Sequence, residues 1–201
     1  EQDPEQWWQH VKSAILRVQE TNLFNTKEIA AIGIAYQMHG LVMLDKNGQS
    51  LRNSIIWCDS RAVPYGDAAF ASIGEEKCLN TLLNSPGNFT ASKFAWVKEF
   101  EPESYGQTEK IMLPGDYIAF RLTGDITTTP SALSEGMLWD FKSNSASNTV
   151  LDYFGFASSL IPQIKDVFTA HGQVTASIAG ELGLKVGIPV TYKAGDQPNN
   201  A

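Results

Sequence analysis

Two short apolar runs far apart in the chain both end in small and polar residues, and this constrains the fold more than any other feature. Residues 29–36 read Ile-Ala-Ala-Ile-Gly-Ile-Ala-Tyr and give way to Gln37-Met38-His39-Gly40. Residues 186–193 read Val-Gly-Ile-Pro-Val-Thr-Tyr-Lys and give way to Ala194-Gly195-Asp196-Gln197. Runs of this length and β-branched content fit strands buried on both faces. In α/β folds the loops that leave the ends of such strands are where ligands sit. An Asp between a Gly and a side-chain amide, as at Asp196, has open backbone beside it and suits a carboxylate that must touch a substrate.

The segments between these runs read as a mixed α/β pattern. Asp3-Pro4-Glu5-Gln6 is a helix start: Asp3 caps, Pro4 suits the first turn and Gln6 completes a capping box. Trp8, Val11, Ile15 and Val18 continue it as one apolar face to about Thr21. Lys46-Asn47-Gly48 lies between residues 41–45 and a run through Ile55-Ile56-Trp57, and Asn-Gly between apolar segments predicts a hairpin. Residues 60–120 turn helical, with breaks at Pro64, Gly74, Pro86-Gly87, Pro102 and Pro114. Phe94, Trp96, Val97 and Phe100 mark a short buried helix, and Ile111-Met112-Leu113 a short strand. Pro114-Gly115-Asp116 opens a helix through about Leu122, closed by Thr123-Gly124. Residues 125–139 predict a short strand and a helix, and residues 151–164 one or two short helices. No linker or repeat interrupts the pattern, so residues 1–201 read as one domain.

Composition narrows the function. Hydrophobic residues make up 43% of the 201, enough for a core. The net charge is -7 with no basic block, which argues against nucleic acid and anionic membranes as partners. No apolar stretch reaches transmembrane length, and the acidic, polar first residues are unlike a signal peptide. Cys58 and Cys78 are too few for a disulfide framework and lack zinc spacing, which fits a reducing compartment. The sequon Asn88-Phe89-Thr90 is read as chance. His10 and His171 stand apart from His39, so the histidines support no metal cluster. No nucleophile elbow, GxGxxG or Walker A sequence is present.

Three places remain for chemistry. Asp196 is a candidate general base taking a proton from a substrate hydroxyl, as phosphoryl transfer requires; the competing reading is a turn Asp bonded to its own backbone. Met38-His39 offers an apolar wall and a donor or acceptor for a polar substrate; a His satisfied by backbone is the alternative. Trp57-Cys58-Asp59-Ser60-Arg61 offers a stacking ring and two charged partners for hydroxyls, or else a core Trp with Asp59 or Ser60 as a helix cap.

Taken in order, several segments resemble the FGGY carbohydrate kinases and, within them, the xylulokinase branch. They are Glu1-Gln2-Asp3-Pro4-Glu5-Gln6-Trp7-Trp8, Gln37-Met38-His39-Gly40-Leu41, Leu51-Arg52, Ile55-Ile56-Trp57-Cys58-Asp59-Ser60-Arg61, residues 89–97, Leu113-Pro114-Gly115-Asp116-Tyr117, Arg121-Leu122-Thr123-Gly124 and Ala194-Gly195-Asp196-Gln197. Met-His-Gly is what points to the xylulokinases. The resemblance implies an RNase H-like N-terminal domain of the actin and hexokinase type, with a mixed sheet flanked by helices. It also implies transfer of the ATP γ-phosphoryl, with Mg2+, to the 5-hydroxyl of D-xylulose in the cytoplasm. Asp196 then matches the catalytic base, Met38 and His39 the sugar-contacting pair, and Gln197 the amide beside the base. The partner expected is a small-molecule ketose. A kinase for glycerol, gluconate or L-ribulose and a non-catalytic sugar-binding module are the alternatives.

The chain departs from the family pattern in ways that carry expectations. The family's first strand with its Asp-x-Gly-Thr phosphate loop, and its C-terminal lobe, are not in these residues. ATP and Mg2+ are therefore expected to be bound mainly elsewhere, the 201 residues alone to be inactive, and an open sheet edge to invite self-association, a homodimer being one form of it. Lys193 and Pro198 stand where small residues are usual and Asn88 where Gly is common. Pro198 removes a donor and restrains Gln197, so the helix after Asp196 is expected to start differently.

Overall fold

A computed structural model describes residues 1–21 and 23–200 of the chain. Helix α1 (Pro4–Glu20) leads to β1 (Ile32–Tyr36) and β2 (Val42–Leu44). A helical stretch follows: α2 (Val63–Ile73), α3 (Glu75–Thr81), α4 (Thr90–Phe100) and α5 (Pro102–Gly106). Then come β3 (Lys110–Met112), α6 (Pro114–Thr123), β4 (Thr127–Thr128), α7 (Pro130–Glu135), β5 (Trp139–Asp140), β6 (Ser145–Ala146) and α8 (Asn148–Phe154). The chain ends with β7 (Gln163–Ile164), α9 (Ala176–Leu182), β8 (Val190–Gly195) and α10 (Asp196–Asn199).

The expected α/β alternation is present, and strand directions are mixed. β1 pairs with β8 and β4 with β7 in parallel; β2 pairs with β3 and β5 with β6 antiparallel. Among the described residues these are four two-stranded units rather than one continuous ladder. β2 divides the core, because strand side chains alternate between faces. Leu41 and Met43 pack with Ile55, Phe94 and Val97, while Val42 and Leu44 pack with Trp8, Tyr36, Tyr117 and Leu122.

Local chemistry explains most boundaries. Asp3 caps α1 by accepting the Glu5 N–H at 2.9 Å, while Gln6 faces solvent, so the expected capping box is replaced by a single bond. The apolar face of α1 is buried at Trp8 and half-buried at Val11 and Ile15, but Val18 is 53% exposed. Helix α6 starts at Pro114 and ends at Gly124, whose φ of 78° is the left-handed stop that glycine adopts without strain. The Asn47-Gly48 turn forms with Gly48 at φ 75°, but its return arm is irregular: only Leu44–Ser50 and Leu41–Ile55 bridge, and β2 takes its ladder from β3 instead.

β1 differs from expectation in one respect that matters. Ile34 and Tyr36 are buried while Gly33 and Ala35 are exposed, so the run is covered on one face rather than two. On the covered face α6 lies so close that a methyl on Gly115 would sit 2.0 Å from the Tyr36 ring. Gly115 is what lets α6 close on the end of β1.

Candidate active site

The parallel pairing of β1 with β8 sets Tyr36 opposite Gly195, so the residues after both strands emerge at the same end. Met38, His39, Trp57, Asp196 and Gln197 line one cavity of about 250 Å3 there. The four residues singled out from the sequence are thus brought together, with Trp57 beside them. Asp196, half-buried, begins α10, and Gln197 follows it, exposed. The arrangement follows from two strand ends and the loop after Ile56.

His39 has a left-handed backbone, φ 64°. For a non-glycine residue that conformation costs on the order of 1 kcal/mol and persists only where the surroundings impose it. Here its peptide groups are held on both sides. Its N–H donates to Glu135 Oε1 at 2.7 Å, and its carbonyl accepts from Lys93 Nζ at 2.6 Å. The ring meets the edge of Phe89 at 4.6 Å between centroids. Burial pushes the imidazole pKa below its usual value and Lys93 adds to this, while Glu135 and Asp196 pull the other way. The ring is therefore neutral near pH 7, able to donate from one nitrogen and accept at the other.

Glu135 and Lys93 are the residues that sequence reasoning missed. Glu135, at the end of α7, is buried; it accepts from Tyr36 Oη at 3.1 Å as well as from His39. Burial raises its pKa from 4.5 to about 7, against the bonds from His39 and Tyr36. Burial and the Glu135 charge hold the Tyr36 phenol well above its usual range. Lys93, buried in α4, also donates to the Ile56 carbonyl at 3.1 Å, and burial lowers its pKa from 10.5 to about 8. Lys93 thus ties the His39 loop to the loop that carries Trp57.

The third candidate segment divides. Trp57 is 60% exposed in the cavity wall, not a core residue. Asp59 and Arg61 face each other, with Arg61 Nη2 on Asp59 Oδ2 at 2.6 Å and Nε on Oδ1 at 2.9 Å. This pairing lowers the Asp59 pKa and raises that of Arg61. Arg61 also bonds Glu1 and lies 4.6 Å over Trp96, so these charges are engaged away from the cavity. Neither Asp59 nor Ser60 caps α2, whose N-cap is Ala62. Asn88 donates to the Asp59 carbonyl at 2.6 Å.

The departures near Asp196 are accommodated by the fold. Lys193 is 1% exposed and points away from the cavity, donating to Asp116 Oδ1 at 2.6 Å and to the Thr127 carbonyl at 2.9 Å. Pro198 sits in the first turn of α10, where its missing N–H has no helical partner to lose. The helix starts at Asp196 itself, with the proline accommodated in its first turn. Among the described residues no group of three or more His, Cys, Asp or Glu is placed to hold a metal ion.

Comparison with known proteins decides the family. The model of the FGGY family of carbohydrate kinases, N-terminal domain, matches residues 1–201. The chain belongs to the FGGY family of carbohydrate kinases. It is 33% identical over 184 residues to a xylulose kinase of Bacillus subtilis (strain 168), covering 92% of this chain and 37% of that protein. It is 31% identical over 201 residues to a xylulose kinase of Escherichia coli (strain K12), covering 100% of this chain and 41% of that protein. A solved structure named as a xyloylose kinase from Brucella ovis superposes with a TM-score of 0.90 at 29% identity, over 98% of this chain and 40% of that one. The FGGY N-terminal fold inferred from the motifs is therefore the observed one. The chain spans about two fifths of the length of the curated relatives it matches.

Proposed function

We propose that this FGGY domain is the sugar-binding lobe of an ATP-dependent kinase that converts D-xylulose to D-xylulose 5-phosphate. The observation that carries the reading is the convergence of Met38-His39 and Asp196-Gln197 on one cavity of about 250 Å3. The names of the relatives favour a pentulose as the occupant. The cavity walls suit such a ligand: Trp57 and Met38 offer apolar faces, and the neutral imidazole and the Gln197 amide offer donors and acceptors to hydroxyls.

In this reading Asp196 accepts the proton of the sugar 5-hydroxyl as that oxygen attacks the γ-phosphorus. The new bond joins the 5-oxygen to phosphorus; the bond to the β,γ-bridging oxygen breaks, and ADP departs with its electron pair. ATP supplies the phosphoryl group and Mg2+ offsets its charge; neither is assigned a ligand among the described residues, which contain no metal-holding cluster. His39 orients the sugar and Gln197 steadies the hydroxyl beside the base. No described helix is long and apolar enough to cross a membrane. Exposed, unpaired Cys58 suits a reducing cytoplasm.

The test uses the full-length protein and a panel of D-xylulose, L-ribulose, gluconate and glycerol. D-xylulose is expected to be phosphorylated with the highest kcat/KM, and preference for another member would replace it as substrate. Asp196→Ala is expected to lower kcat by ~10²-fold or more, the scale of general base catalysis; a nearly unchanged kcat would remove the residue from the mechanism. His39→Ala is expected to raise KM more than it lowers kcat.

A further inference from the structure

Glu135 touches both sides of the cavity floor without lining it. Its side chain is 4% exposed. Oε1 accepts from the His39 N–H at 2.7 Å and lies 3.9 Å from Nδ1 of the same ring, a nitrogen that is buried without a partner. Oε2 accepts from the Tyr36 hydroxyl at 3.1 Å. A methyl placed on Gly195 would lie 3.2 Å from that same oxygen, so the carboxylate also rests against the backbone just ahead of Asp196. One buried group thus meets the end of β1, the sugar-facing loop and the end of β8.

We propose that Glu135 is a positioning residue for the ketose: its carboxylate imposes the left-handed backbone of His39, and with it the aim of the imidazole. This rests on reading the cavity as the sugar site. The donor and acceptor count favours the ionised form. Two donors, the His39 N–H and the Tyr36 hydroxyl, meet two carboxylate oxygens. Bonds to an ionised acceptor are roughly twice as strong as neutral ones. A protonated carboxyl can keep the His39 bond at its carbonyl oxygen and donate to a rotated Tyr36 hydroxyl, but the grip on the strained peptide weakens. The charged groups around it are Asp116 on α6 and Asp196 on α10, which disfavour a further negative charge, and Lys93 on α4, which is paired through His39 and whose own charge Glu135 favours. Lys193 on β8 is bonded to Asp116. With burial these hold the carboxyl near pH 7, so the site tightens as pH rises through the neutral range.

The test measures D-xylulose KM, kcat and the His39 imidazole resonance against pH in the full-length protein and in Glu135→Gln, Glu135→Asp and Tyr36→Phe. Glu135→Gln must point an NH2 at one of the two donors. It is expected to raise KM roughly tenfold with a smaller loss in kcat, and to abolish the step that Glu135 adds to the His39 titration near neutral pH. Glu135→Asp, which keeps the charge, is expected to recover part of the affinity. Tyr36→Phe removes a bond that lowers the Glu135 pKa, so the acid limb of sugar affinity is expected to move to higher pH. That shift also serves should Glu135→Gln fail to fold. Wild-type KM and an unmoved acid limb in Glu135→Gln, or a limb in Tyr36→Phe that stays or moves down, overturns the proposal. A wild-type protein that neither binds nor phosphorylates D-xylulose sinks the kinase reading alone, and the His39 resonance still decides the role of Glu135.

Discussion

At the scale of single residues, the site depends on two buried groups of opposite charge that hold the backbone of one residue, His39, on either side of its Cα. Their effects on stability run in opposite directions with pH. Glu135 has a folded-state pKa of about 7 against 4.5, so between those values the folded protein holds more protons than the unfolded chain. Its contribution is fully present below the unfolded pKa and is lost as pH rises through 7. Lys93 has a folded-state pKa of about 8 against 10.5, so the folded protein holds fewer protons in that window and stability rises with pH across it. Each effect is at most about 3.5 kcal/mol, at 1.4 kcal/mol per unit. Denaturant titrations at a series of pH values are expected to show that Glu135→Gln flattens the fall below neutrality. Lys93→Met is expected to flatten the rise above about pH 8. It also leaves the carbonyls of His39 and Ile56 without that donor, at a cost of about 1–3 kcal/mol near pH 7. A Lys93→Met protein as stable as wild type at neutral pH would show that water or another donor replaces the ammonium. Neither role was visible in the sequence, because burial and partners are tertiary facts. A partial signal existed: Lys93 is the only charge among residues 89–97 and Glu135 the only one among residues 126–139, both in otherwise apolar or hydroxyl-bearing stretches.

At the scale of elements, what was legible in the sequence is what local chemistry determines. The Pro114 start and Gly124 stop of α6, the Asp3 cap of α1 and the polar residues that end β1 and β8 are short-range signals, and each appears in the fold. What was not legible depends on packing. The return arm of the Asn47-Gly48 turn loses its ladder to β3, more than fifty residues later, and Lys193 finds Asp116 and Thr127 rather than the cavity. The site itself stood between these cases: both strand ends could be read, but their juxtaposition is the β1–β8 register. Two glycines make that juxtaposition tight, and they are expected to fail differently. In Gly115→Ala the new methyl meets the Tyr36 ring at 2.0 Å, an aromatic group buried in the core, so helix and strand must separate. Overpacking of this kind costs typically 1–3 kcal/mol. In Gly195→Ala the methyl meets Met38 Cγ at 2.4 Å, and a flexible side chain can yield. Thermal melts are expected to show the larger loss for Gly115→Ala, while KM measurements show the larger loss of sugar affinity for Gly195→Ala, where Met38 is pushed into the cavity. The reverse order would mean that Tyr36, not Met38, is the adaptable neighbour.

At the scale of the whole molecule, an open apolar groove lies beside β1. Val11, Ile15 and Val18 of α1 face Ile32 and Gly33 of β1, with Ile118, Leu122 and Leu184 beneath, around a groove of about 430 Å3. Val18 is 53% exposed and Phe24, at the same groove, 45% exposed. β1 has β8 as its one strand partner among the described residues, so its other edge presents unpaired backbone groups beside this apolar lining. Exposed strand edges next to apolar surface are templates for association. The chain carries a net charge of -7, which opposes contact in general but does little against a local apolar patch once salt screens it. The 201-residue chain is therefore expected to self-associate in a concentration-dependent way, more at about 0.5 M salt than at low ionic strength, where the Debye length is longer. Val18→Glu places a charge in the groove from a position that is 53% exposed, near the end of the α1 face that Trp8 buries. It is expected to reduce association in sedimentation velocity while leaving the melting temperature within a few degrees of wild type, since a surface substitution usually costs less than about 0.5 kcal/mol. Equal association by the Val18→Glu chain would move the contact elsewhere on the molecule. A monomer at all concentrations in the unmodified chain would mean that the groove closes on its own lining in solution.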